Sequence, residues 1–252
     1  GRQTRDAFVE TEQLGQATYA QPSAALVFDN SLFGGVGPML GRRSRIEVAP
    51  RFGQWQFTAL TFDYRRYDHL AGPFTLATRL QYFGQHGRDE ARFRFFAGIP
   101  DFLRGYTWGS LSRHECGALE TGAGPNTTTG CGAADQLVGT RLAMAGAELR
   151  WPFFFGARVL TTAFPAVEGV LFYDAGLMFE KGVTVKLRRD PGDDLSSVRT
   201  PLTSAGAGVR VNLLNFLILR ADYSFPFQRP AFASDKSFFK KGYWTVSLGP
   251  TF

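Results

Sequence analysis

The sequence predicts an all-β protein, an antiparallel transmembrane β-barrel with about ten strands in this chain. Three observations carry that reading. The closing run Tyr243–Phe252 alternates: Trp244, Val246, Leu248, Pro250 and Phe252 fall on one face, and Tyr243, Thr245, Ser247, Gly249 and Thr251 on the other. The same period recurs along most of the chain. No stretch approaches the ~20 continuous apolar residues of a membrane helix, whereas a barrel strand needs only every second residue for lipid. The 25 Phe and 29 Gly suit an aromatic outer wall and tight turns.

Strands are expected near residues 18–29, 42–52, 54–66, 74–84, 91–99, 140–151, 167–179, 201–212, 216–227 and 243–252. In 42–52, Ile46, Val48 and Phe52 oppose Arg45, Glu47 and Arg51. In 74–84, Phe74, Leu76, Leu80 and Tyr82 oppose Thr75, Arg79 and Gln81. In 140–151, Ala143, Ala145, Ala147, Leu149 and Trp151 oppose Gly146, Glu148 and Arg150. In 201–212, Ala205, Ala207, Val209 and Val211 oppose Gly206, Gly208, Arg210 and Asn212. In 216–227, Leu217, Leu219, Ala221, Tyr223 and Phe225 oppose Arg220, Asp222 and Ser224. A soluble β-sandwich also alternates, but strand ends rich in Tyr, Trp and Phe favour the barrel. With Phe252 at the periplasmic end, the connections at Gly53, 85–90, 152–166 and 214–215 become periplasmic. Those at 30–41, 105–139, 180–200 and 228–242 become extracellular, with 67–73 the short member of that set. Residues 1–16 do not alternate and form a linker or loop before the barrel of residues 17–252. Gly1 opens without a charged-then-apolar leader, so the sequence is expected to be a mature product or a fragment.

Several motifs, in order, resemble the BamA/TamA-type outer-membrane protein superfamily, the bacterial surface antigen barrel. They are Val27-Phe28-Asp29-Asn30-Ser31 with Phe33-Gly34 and Gly37-Pro38, then Arg104-Gly105-Tyr106, then Gly146-Ala147-Glu148-Leu149-Arg150 before Pro152. Phe172-Tyr173-Asp174-Ala175-Gly176 follows, then Gly206, Gly208 and Arg210, then Arg220-Ala221-Asp222-Tyr223, and finally the terminal aromatic strand. The resemblance implies the C-terminal part of a barrel of about sixteen strands. It implies a bacterial outer-membrane location and a role in protein insertion or translocation. The alternatives are a non-insertase anchor or structural subunit of a larger complex, or a plugged pore. A lumen lined by Arg45, Arg51, Arg79, Arg150, Arg210 and Arg220 would make such a pore anion-preferring.

The resemblance also implies a loop-to-barrel lock. A long extracellular loop, residues 101–139, would fold into the lumen and set Arg104 against Glu148 and Asp174, both inward by alternation. A guanidinium meets carboxylates in a fixed fork geometry. Gly105 would allow close backbone approach and Tyr106 would pack. The terminal strand, through Tyr243, Trp244, Val246, Leu248 and Phe252, would serve as the assembly strand, so Phe252→Ala should lower the amount assembled in the membrane.

Cys116 and Cys131 share the long loop and are expected to form a disulfide in an oxidising compartment. A metal site from His114, Cys116 and Cys131 lacks a clear fourth ligand. His69 and His86 fall in connections on opposite sides, so they cannot share a hydrolase site. No phosphate loop or metalloprotease motif is present, and neither an enzyme nor a cofactor or metal is expected. The net charge of +6 is spread through the alternating segments rather than clustered, which argues against nucleic acid. The expected partners are outer-membrane lipids and lipopolysaccharide, the barrel assembly machinery during biogenesis, and other outer-membrane or periplasmic chains.

Overall fold

The computed structural model describes residues 18–99, 102–107, 132–154, 157–159, 162–164, 166–188, 190, 193, 197–213, 217–229 and 242–249. They form an eleven-stranded sheet in which every pairing is antiparallel. Its long strands are β1 (Ala24–Asp29), β2 (Pro38–Gly53), β3 (Phe57–His69), β4 (Thr75–Gly87), β5 (Arg141–Phe154), β6 (Val167–Phe179), β7 (Leu202–Leu213), β8 (Leu217–Pro226) and β9 (Tyr243–Gly249). Each pairs with its neighbours in sequence order, and the two-residue strands Tyr19–Ala20 and Leu32–Phe33 add to β2. Among the described residues β1 and β9 do not pair, so the sheet is open along those two edges.

The predicted alternation appears as burial. On β6, Val170, Phe172, Asp174, Gly176 and Met178 are buried while Leu171 and Tyr173 are exposed. On β9, Trp244, Val246 and Leu248 are 72%, 67% and 61% exposed, on the face opposite Tyr243, Thr245 and Ser247. A sheet whose polar face is buried and whose aliphatic face is bare has the inverted layout of a membrane barrel wall. The sheet also curls. Asn212 Nδ2 on β7 donates to Gly35 O in the β1–β2 connection, 2.7 Å away, although β2 and β7 are five places apart in the sheet order.

One predicted strand is absent. Residues 91–99 do not join the sheet, and β4 pairs directly with β5, Thr75 opposite Arg150 and Gly84 opposite Arg141. Glu90–Arg92 is a 3-10 turn, and only Phe95–Phe96 pairs, with Val138–Gly139. The alternating aromatics of this segment are used differently. Phe93 packs on Trp55 and Phe57, and Phe95 on Phe83. The long loop therefore starts at Arg88, not residue 101, and runs to Thr140. Its described parts bury Ala97, with Phe95 and Phe102 beside it, against Leu142, Met144 and Met178. Leu103, Tyr106 and Leu137 bury against Leu202.

Removing one strand reverses the expected sides for the N-terminal half. Register places the 70–74 turn on the same rim as the strand ends Phe154, Val167, Leu213 and Leu217 and the 30–37 connection. Gln54–Gln56 falls on the other rim, with the strand ends Gly87, Arg141, Phe179, Leu202, Pro226 and Tyr243. In a membrane barrel the rim of short turns is expected to be the periplasmic one. Tyr67–Pro73 therefore lies on the rim expected to be periplasmic, and the connections at Gly53 and after Gln85 on the opposite one, the reverse of the sequence expectation. His69 and His86 exchange sides but remain at opposite rims, since His69 pairs with Thr75 and His86 with Thr58.

Candidate functional site

The inward residues of four consecutive strands converge on one buried charge cluster. β5 supplies Glu148 and Arg150, β6 supplies Glu168 and Asp174, β7 supplies Arg210, and β8 supplies Arg220 and Asp222. The loop adds Arg104 from above. Period two puts each of these side chains on the lumen face, and the register brings them level. Glu168 faces Arg210, Arg210 faces Arg220, and Gly208 faces Asp222. At Gly208 a Cβ would collide with the Asp222 carboxylate, so glycine here makes room for charge on the next strand.

Arg104 is the point where the loop meets this wall. Its Nε and Nη2 donate to the two oxygens of Asp174 at 2.6 and 2.8 Å, the bidentate fork geometry. Its Nη1 donates to Glu148 Oε1 at 2.9 Å and lies 3.9 Å from Asp222. The guanidinium carbon sits 3.5 Å from the Phe172 ring centroid, so the ring faces the cation on its remaining side. The structure brings Arg104, Glu148 and Asp174 together.

Glu148 is the hub. Besides Arg104 it accepts from Arg150 Nε and Nη2 at 2.8 and 2.7 Å and from Arg210 Nη2 at 2.5 Å. Its side chain is fully buried, as is that of Arg210. Arg150 also lies 3.7 Å from Glu168, and Arg220 3.6 Å from Asp222. Four arginines thus face four carboxylates. Desolvating any one of these ions alone would cost several kcal/mol, so the cluster holds only as a balanced network.

Gly105 and Tyr106 complete the attachment. Gly105 has φ +85, and a Cβ there would lie 3.2 Å from both Ser224 Cβ and Pro226 Cδ on β8. Gly105→Ala should cost about 1–3 kcal/mol from backbone strain alone. The check is the temperature at which the folded band disappears on unboiled gels; an unchanged temperature would contradict it. The Tyr106 hydroxyl donates to Gln228 Oε1 at 2.7 Å and lies 3.1 Å from Thr203 O. Burial pushes its pKa well above the usual phenol range, so it stays a donor.

Two further residues have no counterpart in the sequence reading. Gln228 joins Tyr106 to the start of β7, its Oε1 accepting from Thr203 N at 2.7 Å. Arg229 Nη1 donates to Gly105 O at 2.8 Å, and its guanidinium lies 3.7 Å from the centre of the Tyr243 ring. The loop is thereby tied to the first residue of β9. Arg210, Arg220 and Asp222 were legible as inward residues, but their membership in the cluster depends on register between strands. Of the remaining predicted residues, Trp244, Val246 and Leu248 line the outer face, and Phe252, Cys116, Cys131 and His114 lie outside the described residues.

The lumen arginines do not form an unneutralised positive lining. Arg79 pairs with Asp63 at 2.9 Å, Arg45 with Glu47 at 2.7 Å, and Arg150 and Arg210 with Glu148. Arg51 stacks between Tyr19, Phe57 and Phe93 and donates to Gln21.

The family model described as the Omp85 superfamily domain matches residues 27–252 of the chain. No curated protein matches it.

Proposed function

Since the chain belongs to the Omp85 superfamily, whose members are outer-membrane proteins, we propose that it works in the insertion or translocation of proteins at the bacterial outer membrane. In this reading the loop 88–140 is a brace fixed inside the lumen. The observation that carries it is the Arg104 attachment, which ties a surface loop to β5 and β6 through buried bonds. A plain solute channel has little use for such a device. An anion-preferring pore gains no support, because each lumen arginine that would set the selectivity already faces a carboxylate or an aromatic cage. Lipids would contact the exposed Trp244, Val246 and Leu248 row, and the assembly machinery would meet the same terminal strand during biogenesis.

Depletion of the protein in its source bacterium tests the proposal. Loss of other barrels from the outer membrane is the expected result. Unchanged barrel levels would overturn it in favour of an anchor or structural subunit. Steady conductance of the purified protein in planar bilayers would favour a pore.

A further inference from the structure

The outer face carries a charge that the fold leaves uncompensated. Arg42 on β2 and Arg66 on β3 are directly opposite each other in the ladder. Both belong to the outward row, in step with Ser44, Ile46 and Val48 on β2 and with Tyr64 and Phe62 on β3. Like charges facing across strands are destabilising unless something lies between them. The next pair, Arg43 and Arg65, makes the comparison, since it points to the lumen and each member has a carboxylate. Arg43 lies 3.7 Å from Asp29 and Arg65 2.7 Å from Asp63. On the outer face Asp68 satisfies Arg66, with contacts of 2.8 and 3.0 Å. Arg42 makes no ion pair among the described residues; its guanidinium lies only over the Phe28 ring, 5.3 Å from the centroid.

The surroundings suit an amphiphile. Arg42, Tyr64, Leu32 and Leu40, with the Arg66–Asp68 pair, line a groove of about 490 Å³. Leu32 and Leu40 are 63% and 47% exposed, and the neighbouring Phe33 is 70% exposed. Toward the membrane centre the row continues as Ile46, Val48 and Phe62, which are exposed and apolar. Arg66 is three residues from the end of β3, on the rim of short turns. The arginines therefore sit where headgroups of the periplasmic leaflet lie, with Ile46, Val48 and Phe62 at the level of the acyl chains and Leu32 and Leu40 on the rim side of the arginines. That leaflet is built of phospholipid.

We propose that this groove holds an anionic phospholipid, its phosphodiester against Arg42 beside the Arg66–Asp68 pair and its chains lying along the Ile46–Phe62 row. A phosphodiester presents two oxygens to the Arg42 guanidinium fork and supplies the counter-charge that Arg42 lacks, which a zwitterionic headgroup does less well because its own cation cancels the field. The inference rests on the membrane reading above.

The test is native mass spectrometry of the full-length protein released from nanodiscs of mixed phosphatidylglycerol and phosphatidylcholine. The wild type is expected to retain phosphatidylglycerol over phosphatidylcholine by about fivefold, the effect of one basic residue at an anionic surface. Arg42→Gln should abolish that preference, and Arg94→Gln, on the opposite rim, should leave it intact. Equal retention of the two lipids by the wild type would overturn the site without any variant having to fold. So would an unchanged preference in Arg42→Gln. Lipopolysaccharide retained in an Arg42-dependent way in place of phospholipid would overturn both the occupant and the leaflet. Failure to enter nanodiscs at all would overturn the membrane reading itself, whereas entry without lipid preference removes only the groove.

Discussion

Glu148→Gln is expected to be the most damaging single change in this chain. The substitution keeps the shape of the side chain and removes its charge. Arg104, Arg150 and Arg210 all donate to this one carboxylate, and the side chains involved are at most 3% exposed. Breaking a buried ion pair typically costs about 3–5 kcal/mol, chiefly because the partner is left charged and dry. Here three partners are affected, and Arg210 has no second acceptor among the described contacts shorter than 4 Å. The loss should be at the top of that range. The folded fraction of full-length protein, followed by gel mobility against urea, measures it. A variant that unfolds at the wild-type urea concentration would show that water in the lumen already screens the cluster.

Arg104→Ala is expected to come second and to act on the loop more than on the wall. Removing Arg104 does not simply leave two carboxylates facing each other, because Glu148 keeps Arg150 and Arg210. Asp174 is the residue that is stranded, losing both of its fork bonds, with a side chain 3% exposed. A cost of about 3 kcal/mol follows from one broken buried pair. The loop should become cleavable by added protease while the strands stay folded. Adding Asp174→Asn should return part of the loss, since removing both partners leaves no orphaned charge. If the double variant is as unstable as the sum of the two single ones, Arg104 and Asp174 are not coupled.

Strand positions were legible in the sequence wherever one face was lipid and the other polar, because a period of two is hard to mistake when it repeats beside Gly and aromatic residues. Glu148, Asp174, Arg210, Arg220 and Asp222 were all placed inward by that parity alone. Residues 91–99 failed for an instructive reason. Phe93 and Phe95 alternate with arginines as a strand would, but their rings pack onto Trp55, Phe57 and Phe83 of the wall rather than onto lipid. Parity cannot tell which surface an aromatic row will meet. That single error carried the side of every earlier turn with it. Glu148's grip on three arginines, and the roles of Gln228 and Arg229, depend on strand register and loop path, which no local pattern encodes.

The direction of synthesis gives the Arg104 attachment a place in time. Every acceptor it uses lies later in the chain, 44 residues on at Glu148 and 70 at Asp174, and the Arg229 bond to Gly105 closes over 124 residues. The loop is thus made before anything exists to hold it, and bonds of such long sequence separation form late. Arg229, resting on Tyr243, is fixed only when the final strand has arrived. A seated loop therefore marks a wall whose last strands are already in register.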